Sequence, residues 1–536
     1  MIRIRRALVS VSDKSGVAEL CAVLHGLGVE IVSSGGTAAA LRDAGIPVTD
    51  VSALSGNPEA FGGRMKTISF AIESALLFDR ERDAREAERL AIVPIDMVVC
   101  NLYPFTAARD AGGDDAVLAE NIDIGGPTMI RAGAKNWRFV AVLTSPAQYG
   151  AVSSELLANG GALGHDTRSR LMRDAFNHTA DYDAAIACEM DRRAGRMSMR
   201  FAFRNGRELR YGENPHQKAW LLRDAGAVAS LFDMEHIRGA EVSYNNVVDI
   251  HAALEAVFPV EGIACAVVKH TNPCGLASAP TQRAAFEAAW AGDPMSAFGS
   301  VVAFNSRVEE ETLRFLELDN ADRNRRRFVE AVVAPDFSAQ AVALASVHKN
   351  LRLVRVSPDV VNEPVQVKLL AGACLAQGRD VAAFEKLEMI TASRPEALDV
   401  PLVQFGIGAV RCVKSNAIVV VRRKEDGTMQ LLGMGAGQPN RLTSIRLALD
   451  RCRDNLAAEH SGTAEALDAW MREQLGRCVL VSDAFFPFPD NIELMAARGI
   501  RLAVQPGGSL RDKAVIAACD ALGVAMVMTG VRHFRH

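Results

Sequence analysis

Apolar positions recur along this chain in two rhythms, one of strands and one of helices, and they alternate from the start. Ala7 to Val11 is a short apolar run that predicts a strand. Ser12-Asp13-Lys14-Ser15-Gly16 then forms a turn able to cap a helix, in which Val17, Leu20, Cys21, Leu24 and Leu27 fall at spacings of three and four on one buried face. Glu30 to Ser33 predicts the next strand, and Ser34-Gly35-Gly36-Thr37 opens a helix over Ala38 to Ala44. Strands over Asp96 to Cys100 and Arg138 to Leu143 carry the alternation to about residue 150, which predicts a parallel sheet with helices on both faces. Residues 166–192 keep the helical period and predict one long amphipathic helix, and the Arg/Met-rich segment Arg192 to Arg200 reads as a boundary.

Beyond the boundary the pattern runs twice. The first series has the polar loop Leu209 to Gln217 (LRYGENPHQ), Ser243-Tyr244-Asn245-Asn246 heading a helix, a buried strand over Ile263 to Val268, and Asp293 to Gly299 before a strand over Ser300 to Asn305. The second begins near residue 400 with Lys414-Ser415-Asn416 entering a strand over Ala417 to Val421. It continues through the loops Gly433 to Arg441, Ser482 to Asn491 and Gln505 to Asp512 to the terminal Thr529 to His536. A strand followed by a glycine-rich polar loop recurs in this later part, which predicts a second α/β unit, two similar halves building one shared cleft.

Composition narrows the field. A chain of 536 residues exceeds what one core supports and implies two to four domains. The net charge of −4 gives no basic surface for nucleic acid, and no run reaches the ~18 apolar residues of a membrane span. The ten cysteines are scattered without a CxxC pair, as reduced core cysteines are, and the opening Met-Ile-Arg-Ile-Arg-Arg enters a strand at once. A cytoplasmic protein is expected, with no membrane or nucleic-acid partner.

The densest chemistry lies at Lys269-His270-Thr271-Asn272-Pro273-Cys274-Gly275, where an ammonium and an imidazole follow a buried strand and Asn-Pro with Gly275 ends it. At the C-terminal edge of an open α/β sheet such groups face ligands. Ser34-Gly35-Gly36-Thr37, between strand and helix, has the make-up of a phosphate site, in which free N–H groups and hydroxyls converge on an anion. A tight strand-to-helix turn accounts for it almost as well. Zinc deamination needs His-x-Glu with Pro-Cys-x-x-Cys, and Pro273-Cys274-Gly275-Leu276 lacks the second thiol. A Walker loop, HExxH, GxSxG and GxGxxG are missing too, which leaves acid–base chemistry on a phosphorylated small molecule.

Thirteen motifs then occur in order: SVSDKSG, SSGGTAAAL, GGRMKT, NLYPF, NIDIGGPTMIRAGAKN, LRYGENPHQ, SYNN, KHTNPCG, DPMSAF, VKSNA, GAGQPNR, SDAFFPF and RHFRH. Over essentially its whole length the chain resembles the bifunctional purine biosynthesis enzymes, phosphoribosylaminoimidazolecarboxamide (AICAR) formyltransferase/IMP cyclohydrolase. The resemblance implies a methylglyoxal-synthase-like parallel-sheet domain (1–195) that closes the purine ring. It also implies a transformylase (196–536) of two cytidine-deaminase-like α/β halves, roughly 196–380 and 381–536. It implies 10-formyltetrahydrofolate as co-substrate, no catalytic metal, room for a structural potassium ion, and a homodimer with shared transformylase sites.

By the same resemblance His270 is the base that deprotonates the amine, while Lys269 and Asn416 serve the developing oxyanion. Arg210 and Arg532 match phosphate ligands, and Tyr211, His216, Arg441, Phe485 and Asp490 match residues around substrate and folate. Lys66, Tyr103, Asp123 and Lys135 match the ring-closing residues. Ser10, Ser12, Lys14, Ser34, Gly35, Gly36 and Thr37 match the phosphate cradle, and Arg64 and Thr67 its neighbours. Two departures stand out. The family commonly follows Lys-Thr with Leu-His-Pro and a further His-Gly-Gly, where this chain has Ile68-Ser69-Phe70, and Pro489 stands where an Arg usually precedes the aspartate. The first departure leaves open a chain with only the transformylase active. A ligand-binding protein that retained the pockets is the other alternative, to which Lys269, His270 and Asn416 are opposed, since sensing needs no base.

Overall fold

Arg6–Val11 (β1) buries Ala7, Val9 and Val11 on one side and Leu8 on the other, so it belongs at the centre of a sheet covered on both faces. Glu30–Ser33 (β2) and Met97–Asn101 (β4) flank it in parallel, with Thr49–Asp50 (β3) and Ala141–Leu143 (β5) outside them, giving the order β3-β2-β1-β4-β5. Val17–Gly26 (α1) packs on one face through Val17, Leu20, Cys21 and Leu24. Phe70–Leu77 (α3) and Gly125–Lys135 (α4) pack on the other, and His165–Arg193 (α5) contributes Leu171 to one core and Ala175 to the other. Gly35–Asp43 (α2) follows β2 directly, three residues earlier than its apolar pattern predicts, because Gly35 and Gly36 enter the helix. The strand predicted from Arg138 begins only at Ala141, since residues 136–139 form the turn that closes α4.

These elements lie in a compact unit, Met1–Ala202, and a second unit spans Phe203–His536, in a computed structural model that describes residues 1–56, 60–61 and 66–536. In the second unit Phe203–Leu209 (β6) and Ala219–Asp224 (β7) form a separate hairpin. Its main sheet has twelve strands. The first half supplies Glu235–Arg238 (β8), Ala264–Lys269 (β9), Asn272–Ser278 (β10), Ser300–Phe304 (β11), Val329–Ala334 (β12) and Arg352–Arg355 (β13). Val365–Leu370 (β14) and Ala373–Gly378 (β15) form another hairpin apart from it. The second half supplies Glu388–Met389 (β16), Ile418–Arg423 (β17), Met429–Gly435 (β18), Val479–Ser482 (β19), Leu502–Gln505 (β20) and Ala525–Met528 (β21).

The strand order β8-β13-β12-β11-β9-β10-β18-β17-β19-β20-β21-β16 reads the same from either end of the repeat. Each half has an antiparallel hairpin (β9–β10, β17–β18), three parallel strands beside it and an antiparallel edge strand. Tyr244–Val257 (α6) and Val400–Arg411 (α8) precede the two hairpins and share one core across both halves. Gln282–Trp290 (α7) and Arg441–Glu459 (α9) follow them and cover the opposite face as two separate cores.

The Asn-Pro-Cys-Gly segment corrects the sequence reading. It does not end the sheet but opens β10, an antiparallel return strand paired with β9. His270 and Thr271 form the two-residue turn, with φ of 53° and 63°, the left-handed pair that matches the twist of a hairpin. Pro273, which has no N–H to give a ladder, sits where the register shifts. Gly275 lies inside the strand because a Cβ there would stand 1.8 Å from the Ala289 carbonyl oxygen of α7. Gly433 of β18 repeats the device, 2.1 Å from Ala448 O of α9. Gly275→Ala is therefore expected to push α7 off the sheet and cost about 1–3 kcal/mol or more. A lower urea midpoint than wild type, with Gly433→Ala behaving alike, is the measurement that checks it.

Candidate active sites

In the first unit the C-terminal ends of β1, β2 and β4 present three loops at one sheet edge. Asn101 braces the first of them: its side-chain oxygen accepts from the Ser12 and Asp13 N–H groups at 2.7 and 2.9 Å, and its amide donates to Asp13 O at 2.8 Å. Thr37 is buried and closes back on Val11, donating to the carbonyl at 3.0 Å and accepting from the N–H at 3.1 Å. Thr37 is thus a strut under the loop. The Ser34 hydroxyl, at the start of α2, is buried without a partner among the described residues. A Cβ on Gly35 would lie 3.5 Å from the Lys66 ammonium, and one on Gly36 3.9 Å from that of Lys14. Two lysines, free N–H groups at a helix start and an unpaired hydroxyl converge, an arrangement made for an anion. Ser10 and Ser12 are half-buried beside it.

Thr67, buried next in chain to Lys66, touches the start of α4: a Cβ on Gly125 would meet its hydroxyl at 2.8 Å. There Asp123 accepts the Gly126 N–H at 2.8 Å, while its own N–H donates to the Tyr182 hydroxyl at 2.8 Å. Burial raises the Asp123 pKa, against the pull of the Gly126 and Tyr103 N–H groups and the charge of Lys66. Lys66, Thr67, Tyr103 and Asp123 are thus gathered in one place. Lys135 is not among them: it is exposed in the last turn of α4, about 15 Å from the first turn at 1.5 Å per residue. Arg64 lies outside the described residues. Ser69 caps α3, accepting the Ile72 N–H at 3.3 Å, so the loop that lacks His-Pro is anchored by a different device than proline.

In the second unit the sheet gathers motifs scattered between residues 270 and 482 of the chain. Val268 pairs with Val301 and Ile418 with both Gly435 and Ser482, so the turn after β9, the start of β11, the start of β17 and the end of β19 share one edge. β10 and β18 are in register only at Ala277–Gln430 and Ser278–Met429, at the opposite edge, so the two hairpins diverge toward it. Asn272 Oδ1, Ser300 Oγ and Asn491 Oδ1 are buried there without hydrogen-bond partners among the described residues.

His270 projects from the turn, exposed, and the turn is pinned from both sides: Asp249 Oδ1 accepts the Thr271 N–H at 2.7 Å and Asn272 Nδ2 donates to His270 O at 2.9 Å. Burial raises the Asp249 pKa, with those backbone N–H groups and His270 opposing. The Lys269 ammonium donates to Phe298 O at 2.8 Å, tying the Asp293–Gly299 loop to the turn. Asn416 donates its amide to Gln438 O at 2.8 Å and accepts from Arg441 at 2.8 Å. Arg441, expected among the substrate contacts, is instead buried: it also donates to Ser482 Oγ at 2.8 Å and pairs with fully buried Asp483. It positions Asn416, with three of its five guanidinium N–H groups given to partners inside the fold. Ser415 completes the knot by donating to Asp483 at 2.5 Å.

Phe485 is partly exposed in the loop after β19, and Asp490 is exposed at the first position of the helix Asp490–Ala497 (α10), where Pro489 provides a fixed entry. Arg210 lies over the Tyr211 ring at 5.5 Å in the β6–β7 turn, with His216 exposed nearby in sequence. At the C-terminus Arg532 is exposed over Phe534, whereas His533 and Arg535 reach inward, to Asp380 at 2.8 Å and Glu255 at 2.6 Å. Glu255 is buried and also takes Arg379 at 3.3 Å. Arg535 further receives the Ser415 N–H on its carbonyl at 2.9 Å, so the tail is stitched to Asn416's neighbour. Sequence reading missed Asn101, Asp249, Glu255, Ser415, Asp483 and Arg535. Asn101, Ser415, Asp483 and Arg535 lie within the NLYPF, VKSNA, SDAFFPF and RHFRH motifs, but nothing local signals that Arg535 meets Glu255, 280 residues away. Among the described residues no three His, Cys, Asp or Glu side chains gather as a metal site.

Residues 133–451 match a family model described as AICARFT/IMPCHase bienzyme, and residues 16–128 match one described as an MGS-like domain. The chain is 41% identical to the bifunctional purine biosynthesis protein PurH of Mesorhizobium japonicum, over 100% of this chain and 98% of the relative. It is 42% identical to PurH of Brucella anthropi over 100% and 97% of the two chains, and 40% identical to that of Neisseria gonorrhoeae over 99% of each.

Burial opposes ionisation of Glu255, but His251, Arg535 and Arg379 outweigh it and hold its pKa below the ordinary range. A carboxylate with a lowered folded pKa stabilises fully above its unfolded value and loses that contribution as pH falls through the folded one. Glu255→Gln is thus expected to cost about 1–3 kcal/mol at pH 7 by leaving two guanidinium groups short of a partner. Urea titrations across the acid range should show the gap between variant and wild type closing as Glu255 protonates.

Proposed function

The chain belongs to the AICARFT/IMPCHase bienzyme family, and we infer from that footing and from its two separate sites that it carries both activities. It transfers a formyl group to the 5-amino group of AICAR and closes the formylated ribotide to IMP with loss of water. The observation that carries this reading is that each compact unit holds one polar site of its own, and that the two differ in chemistry. The finer assignments below follow from the geometry of each.

Formyl transfer belongs to the His270–Asn416 edge, with 10-formyltetrahydrofolate as donor. The amine of AICAR is a poor nucleophile because its lone pair is delocalised into the ring and carboxamide. As it attacks the formyl carbon, His270 removes its proton, and collapse of the tetrahedral intermediate returns a proton to the departing folate nitrogen. Asp249 and Asn272 hold the turn that aims the imidazole. The second Asn416 amide hydrogen is available to the oxyanion, since Gln438 occupies only one, and Arg441 fixes the amide's orientation. Exposed Arg210 and Arg532 suit the ribotide phosphate.

Ring closure belongs to the first unit. The ribotide phosphate sits among Ser34, Gly35, Gly36 and Lys14. The carboxamide nitrogen attacks the formyl carbon, and the resulting hydroxyl leaves as water once protonated. Asp123, whose raised pKa keeps its proton closer to neutral pH, is suited to give that proton, with Lys66 polarising the electrophile. Lys135 stands apart from this cluster and is left out of the step.

A homodimer and a cytoplasmic location complete the reading. The β14–β15 hairpin buries none of its residues and exposes Leu369 and Leu375 by 66% and 58%, apolar surface of the kind that a second chain covers. All ten cysteines are unpaired, and no helix among the described residues is long and apolar enough to cross a membrane.

His270→Ala should lose formyl transfer by a factor of about 10² to 10⁴ and leave cyclisation of supplied formyl-AICAR near wild type; Lys66→Ala should do the reverse. Coincident loss of both in folded protein would refute the assignment of one activity to each unit. Arg532→Ala should raise the KM for AICAR alone. Deleting Arg532 to His536 should lower kcat as well, because it also removes His533 and Arg535, and steady-state kinetics on the two variants separates the effects.

A further inference from the structure

Next to the His270 turn lies an open-sided pocket of about 410 Å3 that the two reactions above do not use. Trp290, Pro294 and Phe298 line it together with Arg325, Arg326 and Arg327. Phe298 joins it to the site already described: its carbonyl holds the Lys269 ammonium at 2.8 Å, and its ring, largely exposed, packs against Phe328 at 5.4 Å, directly after the arginines. Gly299 N–H donates to Phe328 O at 2.8 Å and fixes the arginine segment against the catalytic loop.

The three arginines are not equivalent. Arg327 is committed to the fold: it stacks on Phe315 at 4.2 Å, donates to Phe315 O at 2.7 Å and pairs with Glu317 at 2.9 Å. Glu317, the one carboxylate in the lining, is thereby neutralised, and Asn320 donates to it as well at 2.6 Å. Arg326 spends only its Nε, on Asn320 O at 2.8 Å, and Arg325 is exposed, its guanidinium without a side-chain hydrogen bond among the described residues and acting on Glu317 only through its charge. Two guanidinium-bearing residues thus line a pocket that aromatic and apolar side chains also line. That combination selects a carboxylate carried on a hydrophobic stem over a bare, hydrated anion.

We propose that this pocket is the subsite for the carboxylates of the folate's glutamate tail, with Arg325 and Arg326 as their ligands. The proposal rests on the assignment of formyl transfer to the His270 edge. In a 10-formyl folate the reacting nitrogen and the glutamate are separated by one benzoyl group, and the pocket opens one loop away from His270, across Phe298. The subsite binds and orients the co-substrate and takes no part in bond making. Its effect belongs in the KM for folate and not in kcat, and is weakened by salt as exposed charges are.

The test uses the full-length protein with Arg325→Ala and Arg326→Ala combined, leaving Arg327 in place, and checks folding by circular dichroism. Formyl transfer is measured with 10-formyltetrahydrofolate carrying one glutamate and carrying three γ-linked glutamates, at two ionic strengths. The KM for the monoglutamate should rise about tenfold and that for the triglutamate by more, with kcat within twofold and the KM for AICAR unchanged. Unchanged folate KM values in the folded variant overturn the proposal, and so does a rise confined to the KM for AICAR, which would assign the pocket to phosphate. Should the double variant fold poorly, Arg325→Gln alone decides, with a smaller rise expected and no rise counting against. Wild-type protein without formyl transfer would instead refute the underlying assignment, which keeps the two failures apart.

Discussion

Gln430 stands at the seam on which the second unit depends. Only two residue pairs join the halves of the twelve-stranded sheet, and Gln430 belongs to one of them. Its amide donates to Ala288 O of α7, in the other half, at 2.8 Å, and its carbonyl accepts from Arg422 of β17 at 3.2 Å. Asn455 of α9 repeats the crossing, donating to Leu432 O at 2.7 Å and to Gly292 O of the first half. A buried amide with both functions satisfied, as Gln430 has, fixes a register that apolar packing alone leaves loose, because a misplaced one costs a full desolvation penalty. The short seam also leaves the hairpins free to separate at the other edge, where His270 and Asn416 lie.

Charge is handled in two ways in that cleft. Positioning groups are buried or half-buried and mutually neutralised: Arg441 against Asp483, and Arg535 and Arg379 against Glu255. A buried pair of this kind adds little net stability against an apolar replacement, yet removing one member strands the other, so it enforces a single arrangement. Groups left for ligands are exposed or unpaired: His270, Arg210, Arg532 and the lone oxygens of Asn272 and Ser300. The first unit follows the same division, with Thr37 and Asn101 internally satisfied while Ser34 is left without a partner among the described residues. The structure therefore separates residues that resemble one another by type, such as Arg441 and Arg532, into a brace and a candidate ligand.

Much of this was legible in the sequence. The 3.6-residue period of Val17 to Leu24 and of residues 166–192 depends only on which side chains avoid water, so it survives without knowledge of neighbours. The same holds for the β/α alternation that ends in a parallel sheet, and for Ser243, whose capping box with Asn246 is contained within four residues. The doubled later series correctly implied two halves, because each repeats the same order of apolar strands and polar glycine-rich loops.

What only the tertiary structure decided are relations between distant residues. Asn272-Pro273 signals a stop when read locally, but a two-residue turn at positive φ and a register shift let the chain return as a strand, and Gly275 is explained only by Ala289 O lying against it. Lys135 shares a motif with Asp123, yet a helix rises 1.5 Å per residue and carries it to the far end. Arg441 is polar and within a matching motif, but whether it meets a ligand or Asp483 is a matter of burial, which periodicity does not encode for a loop. The sequence by itself determined which elements form and which chemistry is present; long-range packing decided which of those groups are held inside the fold and which are left to face a ligand.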